Sequence, residues 1–566
     1  MADSLRPPLQ STARPSDREP SQDDLEKLRA WHEERLQRRL RDEYESQQLH
    51  LAELVNDTID APLHVANVEV QGAAHTSEAF LGWLIRPHLS SALPDLADLT
   101  PSAQSTLGSV LHTTRAISHS LSATDLFRTL SARIERSADG PPGDVNIIFN
   151  VTEKGRFFIK TATEIGNSEG TASITARLSN ILGRADTLTF NSSVGTKTKR
   201  AFDASFSLPV LPSLAAAAFV SLLGADRELG VQGGHGREEC VAIKAGIRNW
   251  HNAAERGVHE LTAEARWRSI GGLAPDAGVT GAHPIGFFPC HGNDPILVTA
   301  VQNKTPVVVS LSGHSIRQSA GPALKAALVH SWTHNTLDDY IMASKGPLLR
   351  LTNELAVTKR VIRSLLPSPY TANTGAFGES STSGNPPFTN VGEGATAFWK
   401  LEGEAKRGWA LTRGLALSLS ARAGLLRVFT GERDTVHWSD RFQLGGPLSV
   451  RGFSADGMGP RECSTSLGGT LYYALGLSLV GDIPTRPKWP LKLHTWINAG
   501  RLQDEDSNVR STLHTLLTRP SVSAGLGLIY RLDPVRIEAN VTFPLAAARG
   551  EGLRRGVQVG IGLEML

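Results

Sequence analysis

From Lys154 onward the sequence repeats one device: a run of about ten residues in which apolar and polar side chains alternate, closed by a turn and followed by another run. In 535–543, Val535, Ile537, Ala539, Val541 and Phe543 hold one parity, and Arg536, Glu538, Asn540 and Thr542 hold the other. Successive side chains of a strand point to opposite faces, so such a run has one greasy and one polar side. The last run behaves alike, with Val557, Val559, Ile561, Leu563 and Met565 against Gln558, Gly560, Gly562 and Glu564. Two architectures accept this pattern: a soluble sandwich with one wet face, or a membrane barrel with lipid outside and a polar lumen. Number and connections separate them. The runs lie near 156–165, 171–179, 184–195, 200–208, 213–223, 238–248, 257–268, 321–332, 347–357, 394–405, 414–428, 468–480, 489–500, 520–531, 534–544 and 555–566. The long connections, 269–320, 358–393, 429–467 and 501–519, follow odd-numbered runs, whereas those after even ones are mostly short. A barrel crossing a membrane sorts its loops this way. The expectation is a transmembrane β-barrel of about 16 antiparallel strands over 154–566.

Other classes lose ground on composition and motifs. The longest apolar stretch, 208–224, contains Pro209 and Pro212 and falls short of the roughly 20 residues of a spanning helix. Lys and Arg total 58 against 56 Asp and Glu, a net charge of +2, so no field draws the chain to nucleic acid. Cys240, Cys290 and Cys463 lie far apart without metal-ligand spacing. There is no phosphate-binding GxxxxGK[ST] loop and no GxSxG elbow, and His32-Glu33 and His259-Glu260 are not completed to HExxH. No catalytic residue, metal or cofactor is expected, and the chain is not expected to be an enzyme. The first 24 residues carry acids and no apolar core, which argues against a secretory signal or an Arg-rich presequence.

Ahead of the barrel the pattern differs. Residues 1–61 form an arm whose stretch 21–55 has Leu25, Leu28, Leu36 and Leu40 at near-helical spacing among charges, either an exposed helix or one that docks on a partner. Residues 62–153 read as a small α+β module in the order β-α-α-β-β: a strand at 64–70, helices at 76–89 and 103–121, then strands at 126–134 and 144–151.

The connection at 429–467 carries Gln443-Leu-Gly-Gly446 and Val450-Arg451-Gly452-Phe453 five strands from the end. These residues resemble the loop-six motif of the BamA superfamily of β-barrel assembly and translocation proteins. The resemblance implies that the loop folds into the lumen and that Arg451 pairs with acidic or polar groups on late strands. Glu538, on the polar parity of its strand, is the candidate partner. A guanidinium in a partly wet lumen can hold a carboxylate with two parallel hydrogen bonds and pin a mobile loop. Gly452 would let the backbone approach the wall, and Phe453 would anchor the tip.

In the last run Gln558, Gly560, Leu563 and Met565 match a polar-x-Gly-x-x-hydrophobic-x-hydrophobic pattern that looks like the mitochondrial β-signal. With a single module at 62–153 resembling a POTRA domain, the chain resembles the channel subunits of the mitochondrial outer-membrane sorting and assembly machinery. The resemblance covers about 62–566 and leaves the insertion at 269–320 unaccounted for. It implies a multi-pass protein of the mitochondrial outer membrane with its POTRA-like domain in the intermembrane space. The implied role is to fold and insert β-barrel precursors, with peripheral cytosolic accessory subunits and membrane lipids as partners and no nucleic acid. The gate would lie between the last strand and the first, at Phe157, Ile159, Thr161, Thr163 and Ile165. A passive or protein-translocating pore is the alternative.

Overall fold

The computed structural model describes residues 26, 29–37, 53, 56–92, 105–137, 140–141, 143–166, 169–196, 198–210, 214–229, 236–250, 253–271, 277–279, 307–309, 319–339, 343–360, 395–412, 414–431, 435–447, 449–462, 465–483, 486, 489–504, 514, 516–532 and 535–562. Most of the stretch 21–55 therefore lies outside the described residues; within it, 29–37 are helical. Two compact units emerge.

The smaller unit is built from β1 (Pro62–Gln71), α1 (Glu78–Ala92), β2 (Ser105–Thr106), α2 (Leu107–Ala123), β3 (Phe127–Arg136) and β4 (Asp144–Glu153). The sheet order is β2-β1-β4-β3, with β1 parallel to β4 and β3 antiparallel to it. Leu84, Val110, Ile117 and Leu121 from the helices are buried, as are Ile147 and Phe149 of β4. Thr106 starts α2 with a capping box: its hydroxyl accepts from Ser109 N–H and its own N–H donates to Ser109 Oγ. The expected β-α-α-β-β order gains one element, the two-residue β2, which pairs with Pro62 and Leu63. Two residues are too few to display a period, so only pairing reveals them.

The larger unit contains β5 (Phe157–Gly166), β6 (Glu169–Ser179), β7 (Thr187–Gly195), β8 (Thr198–Pro209), β9 (Ala216–Leu229), β10 (Gly236–Asn249), α3 (Ala253–Arg256), β11 (Val258–Gly271), β12 (Ala277–Val279), β13 (Val307–Val309), β14 (Gly321–Asn335), β15 (Pro347–Arg360), β16 (Thr396–Thr412), β17 (Leu415–Thr430), β18 (Arg461–Glu462), β19 (Thr465–Ser466), β20 (Leu471–Asp482), β21 (Leu491–Gln503), β22 (Ser521–Leu532), β23 (Val535–Ala546) and β24 (Gly556–Gly562). Sixteen of these form one antiparallel sheet running from β5 to β24, and β12–β13 and β18–β19 are small hairpins within long loops. Strands such as β16, 17 residues long, outrun the alternating segments read from the sequence. Ladder hydrogen bonds continue past the membrane boundary, whereas the apolar parity stops there.

Burial is inverted relative to a soluble protein. Leu324, Leu328, Leu355, Leu526, Val541 and Phe543 face outward and are exposed, while Thr262, Arg268, Lys325, Glu538, Asn540 and Thr542 are buried on the inner face. A soluble monomer carries contiguous apolar patches of a few hundred Å² at most, so this continuous outer surface belongs against lipid. Among the described residues no helix is long and apolar enough to cross a membrane.

Fifteen neighbouring pairs carry the ladder around the sheet, and its two ends are β5 and β24. These ends come within 8 Å between Cα atoms, yet among the described residues no register pairs them. Among the described residues the barrel thus comes round to face its own edge without a ladder between β5 and β24.

Candidate functional site

The loop between β17 and β20 is folded through the middle of the barrel. Its glycines make this possible: Gly445, Gly446 and Gly452 have φ of +111°, +116° and +85°, a region that side-chain-bearing residues rarely adopt. Gly446 N–H donates to the Val450 carbonyl and Ser449 N–H to the Gly446 carbonyl, giving a compact tip. Val450 and Phe453 are fully buried together with Phe442, Leu444, Met458, Tyr472 and Leu502. An apolar core inside a polar lumen explains how a loop without regular structure holds one shape.

Arg451 lies on the inner faces of the late strands. Its Nε and Nη2 lie 3.0 and 2.9 Å from Glu538 Oε2 on β23, and its Nη1 donates to Asn498 Oδ1 on β21 at 3.3 Å. The guanidinium also stacks 5.4 Å from the Trp496 ring centre. Trp496 Nε1 donates to Asn540 Oδ1 and Asn540 Nδ2 donates to Glu538 Oε2, both at 2.9 Å. Arg451 and Glu538 are 1% and 0% exposed at their side chains, so each charge depends on the other for solvation. Both oxygen contacts fall on one carboxylate oxygen, so the pair is a forked clasp on Oε2 rather than the two-oxygen arrangement set out above.

The same loop grips the last strand. Gly452 N–H donates to Gln558 Oε1 at 3.0 Å, and Gln558 Nε2 donates to the Phe453 carbonyl at 3.1 Å. Arg554 N–H donates to the Gly452 carbonyl at 2.9 Å, and Phe453 forms an isolated bridge with Leu553. Ser523 Oγ donates to the Arg451 carbonyl. A Cβ on Gly452 would lie 2.9 Å from Ser523 Cβ. The Gly452→Val variant is accordingly expected to lose about 1–3 kcal/mol through backbone strain and this clash, read as a lowered denaturation midpoint of the folded barrel on semi-native gels. Gln558→Leu removes two buried backbone-directed hydrogen bonds at once. Amide hydrogen exchange across 556–562 is expected to accelerate at least several-fold in that variant while β21 and β22 stay protected.

Of the other sequence-derived residues, Gly560 stands opposite Glu538 in the β23–β24 register, and Leu563 and Met565 lie outside the described residues. On β5, Phe157 and Ile159 are exposed on one parity with Thr161. Thr163 and Ile165 pair with Ala172 and Gly170 through the backbone, and their side chains lie outside the described residues. Loop six thus touches the β24 edge of the seam.

A second anchor was not foreseen. Asp440, at the end of a 3-10 turn at Trp438–Asp440, accepts from Arg268 Nη1 of β11 at 3.0 Å, from Arg268 Nη2, and from Lys325 Nζ of β14 at 2.8 Å. Lys400 Nζ of β16 donates to the Asp440 carbonyl at 3.1 Å, and Ser439 Oγ donates to Glu238 Oε1 of β10 at 2.6 Å. Burial alone would raise the Asp440 carboxyl, but Arg268 and Lys325 outweigh it and hold it well below the usual carboxylate range. Burial, reinforced by Arg268, pushes the neighbouring His437 down to about 3 and keeps it neutral. The inward parity of Arg268 and Lys325 is visible in their strands; their meeting with a residue of loop six is not. The loop is therefore pinned at one end to β10–β16 and at the other to β21–β24. Between loop six, the inner faces of β15–β17 and β24 lies a cavity of about 750 Å³ lined by Arg350, Glu402, Glu404, Arg422, Tyr472 and Gln558 among others.

With this geometry in place, the likeness to known proteins is informative. The Omp85 superfamily domain matches residues 292–565, the half that holds loop six and the late strands. Residues 292–565 thus carry an Omp85 superfamily domain. A SAM50-like protein of Schizosaccharomyces pombe is 27% identical over 91% of this chain and 94% of its own length. The Sorting and assembly machinery component 50 homolog of Homo sapiens is 25% identical over 78% of this chain and 80% of its own. Among solved structures, BamA from Haemophilus ducreyi lacking POTRA domains 1-3 superposes with a TM-score of 0.59 at 12% identity, covering 88% of this chain and 85% of that one. That likeness speaks for a BamA-like barrel fold.

Proposed function

We propose that this chain, with its Omp85 domain, is the core subunit of the mitochondrial outer-membrane sorting and assembly machinery and inserts β-barrel precursors into the membrane through a lateral gate between β5 and β24. The observation that carries the reading is the seam. A sheet edge facing hydrocarbon leaves backbone N–H and C=O groups without partners, at a cost of several kcal/mol each. An incoming precursor strand removes that cost by pairing with the edge, the chemistry of β-augmentation. The seven-residue β24 is held from inside by Gln558 and loop six, so it can keep its place while its outer edge is offered to a client. Gly560 and Gly562 thin the packing on that strand, which eases exchange. The human relative is named as a component of the sorting and assembly machinery and matches over 80% of its own length, which supports a role in that machinery; a mitochondrial outer-membrane site, β-barrel clients and cytosolic accessory subunits belong to the same proposal. The POTRA-like unit then faces the intermembrane space. The reaction requires no nucleotide, metal or catalytic side chain, because strand exchange is driven by pairing and lipid burial.

The test is disulfide crosslinking in a version lacking Cys240, Cys290 and Cys463, with single cysteines along 157–165 and 556–562 and a labelled precursor arrested during import. Crosslinks at both edges, in register with the precursor's last strand, are the expected result. Contacts confined to the lumen face would instead support a translocating pore and overturn the gate.

A further inference from the structure

Most charge in this barrel faces inward, but one outward-facing place gathers cationic and hydrogen-bonding groups. At the end of the barrel that carries the short turns, β11 and β14 bring three histidines and a tryptophan together, and Arg256, exposed at the end of α3, adjoins them through its backbone. His259 stands opposite Trp332 in the ladder. Its Nδ1 lies 3.3 Å from Nε2 of His330, with the two rings stacked at 20° and centroids 5.6 Å apart. Beyond the indole, His334 stacks on Trp332 at 6.3 Å and 10°. Trp332 Nε1 donates to the Arg256 carbonyl at 2.8 Å, which ties α3 to the cluster. Gly257, at φ +80°, passes so close that a Cβ would lie 2.6 Å from that indole nitrogen. The arrangement is thus built, with a backbone contact that only glycine permits.

Its surroundings say which ligand it suits. On the same outward parity toward the middle of the barrel stand Leu261, Leu324 and Leu328, exposed by 49%, 48% and 46%. Acyl chains lie there. A tryptophan alone would serve as an interfacial anchor; imidazoles add donors matched to phosphate oxygens, and the exposed Arg256 on the adjoining short helix puts a positive charge nearby. The contact between His259 and His330 uses one nitrogen of each ring and leaves each ring its second. Acidic neighbours are largely engaged elsewhere. Glu260 points inward to Arg248 at 2.7 Å, and Asp338 accepts from the N–H groups of Ser344 and Lys345 at 2.9 Å. Glu255, on the same short helix, is the acid that opposes the cluster.

We propose that Arg256, His259, His330, Trp332 and His334 form a binding site for the phosphate headgroup of an acidic glycerophospholipid in the leaflet on the short-turn side, its chains lying on Leu261, Leu324 and Leu328. The site rests on the barrel's outer face meeting lipid and not on the insertase reading. The test is native mass spectrometry of the purified full chain after equilibration in detergent with equal amounts of phosphatidylglycerol and phosphatidylcholine. The wild type is expected to retain the acidic lipid several-fold over the neutral one. The triple variant H259Q/H330Q/H334Q, and separately Arg256→Gln, should lose that preference while still migrating as a folded barrel on semi-native gels. Where the triple variant does not fold, His330→Gln in a folded barrel decides. Equal retention of both lipids by the wild type, an undiminished preference in the folded variants, or release of the acidic lipid by inorganic phosphate alone would each overturn the site.

Discussion

Arg451→Ala is expected to cost the barrel about 3–5 kcal/mol, because it leaves Glu538 buried and charged with its cation gone. The loss should appear as a large drop in the denaturant midpoint of the semi-native band, together with faster exchange in loop six and β24, since Arg451 and Gln558 hold adjacent links of one chain of contacts. Removing both charges separates a structural clasp from a single-residue effect. In R451A/E538Q the carboxylate no longer needs a partner, so the double variant is expected to be less damaged than the sum of the two singles. Arg451→Lys keeps the charge but cannot fork onto Oε2 and Asn498 together, and should fall between wild type and alanine. A cost under about 0.5 kcal/mol for Arg451→Ala would show that the pair contributes nothing to the barrel.

The second large effect is expected from Asp440→Asn. Arg268 is 1% exposed and Lys325 10% at their side chains, and both point their charge at this one carboxylate. Neutralising it takes the carboxylate from buried Arg268, while Lys325 keeps its second ion pair with Glu354, and a loss of about 3–5 kcal/mol follows from the usual cost of breaking a buried pair. This variant should release the β10–β16 end of loop six and leave the Arg451 end in place. Exchange should accelerate at 435–443 before 450–453. The sign with pH is definite. The Asp440 carboxyl sits below its ordinary value in the folded barrel, so the unfolded chain binds the proton first as pH falls through about 4. Its stabilisation is fully present above that pH and is lost below it. Asp440→Asn should therefore flatten the acid limb of the stability profile relative to wild type; an unchanged acid limb would rule out Asp440 as a contributor.

Arg451 and Glu538 show how far local information reaches. The parity of 535–543 places Glu538 on the inner face, but Asn540 and Thr542 share that face, and so do Trp496 and Asn498 two strands away. Choosing Glu538 as a partner required the loop-six resemblance, not the alternation. Gln558 was legible as the polar residue of a terminal pattern, whereas its double hydrogen bond to Gly452 and Phe453 was not. Asp440 carried no signal at all, being one acid in a loop with no period. The outward cluster around Trp332 was equally silent, because His259 and His330 lie 71 positions apart and meet only through the β11–β14 register.

What the sequence determined by itself was the barrel: a side-chain period of two is written residue by residue, and it fixes which face of each strand meets lipid, how many strands there are and which loops are long. Only the tertiary structure decided what crosses the lumen. Asp440 meets Arg268 across 172 positions and Lys325 across 115. Gly452 meets Gln558 across 106. Those encounters depend on the path of a loop turned inward at three positive-φ glycines, and on buried charges that have no favourable place except beside one another. Neither is a property of neighbouring residues, and the seam between β5 and β24, without a ladder among the described residues, is likewise visible only once the sixteen strands are brought round to face each other.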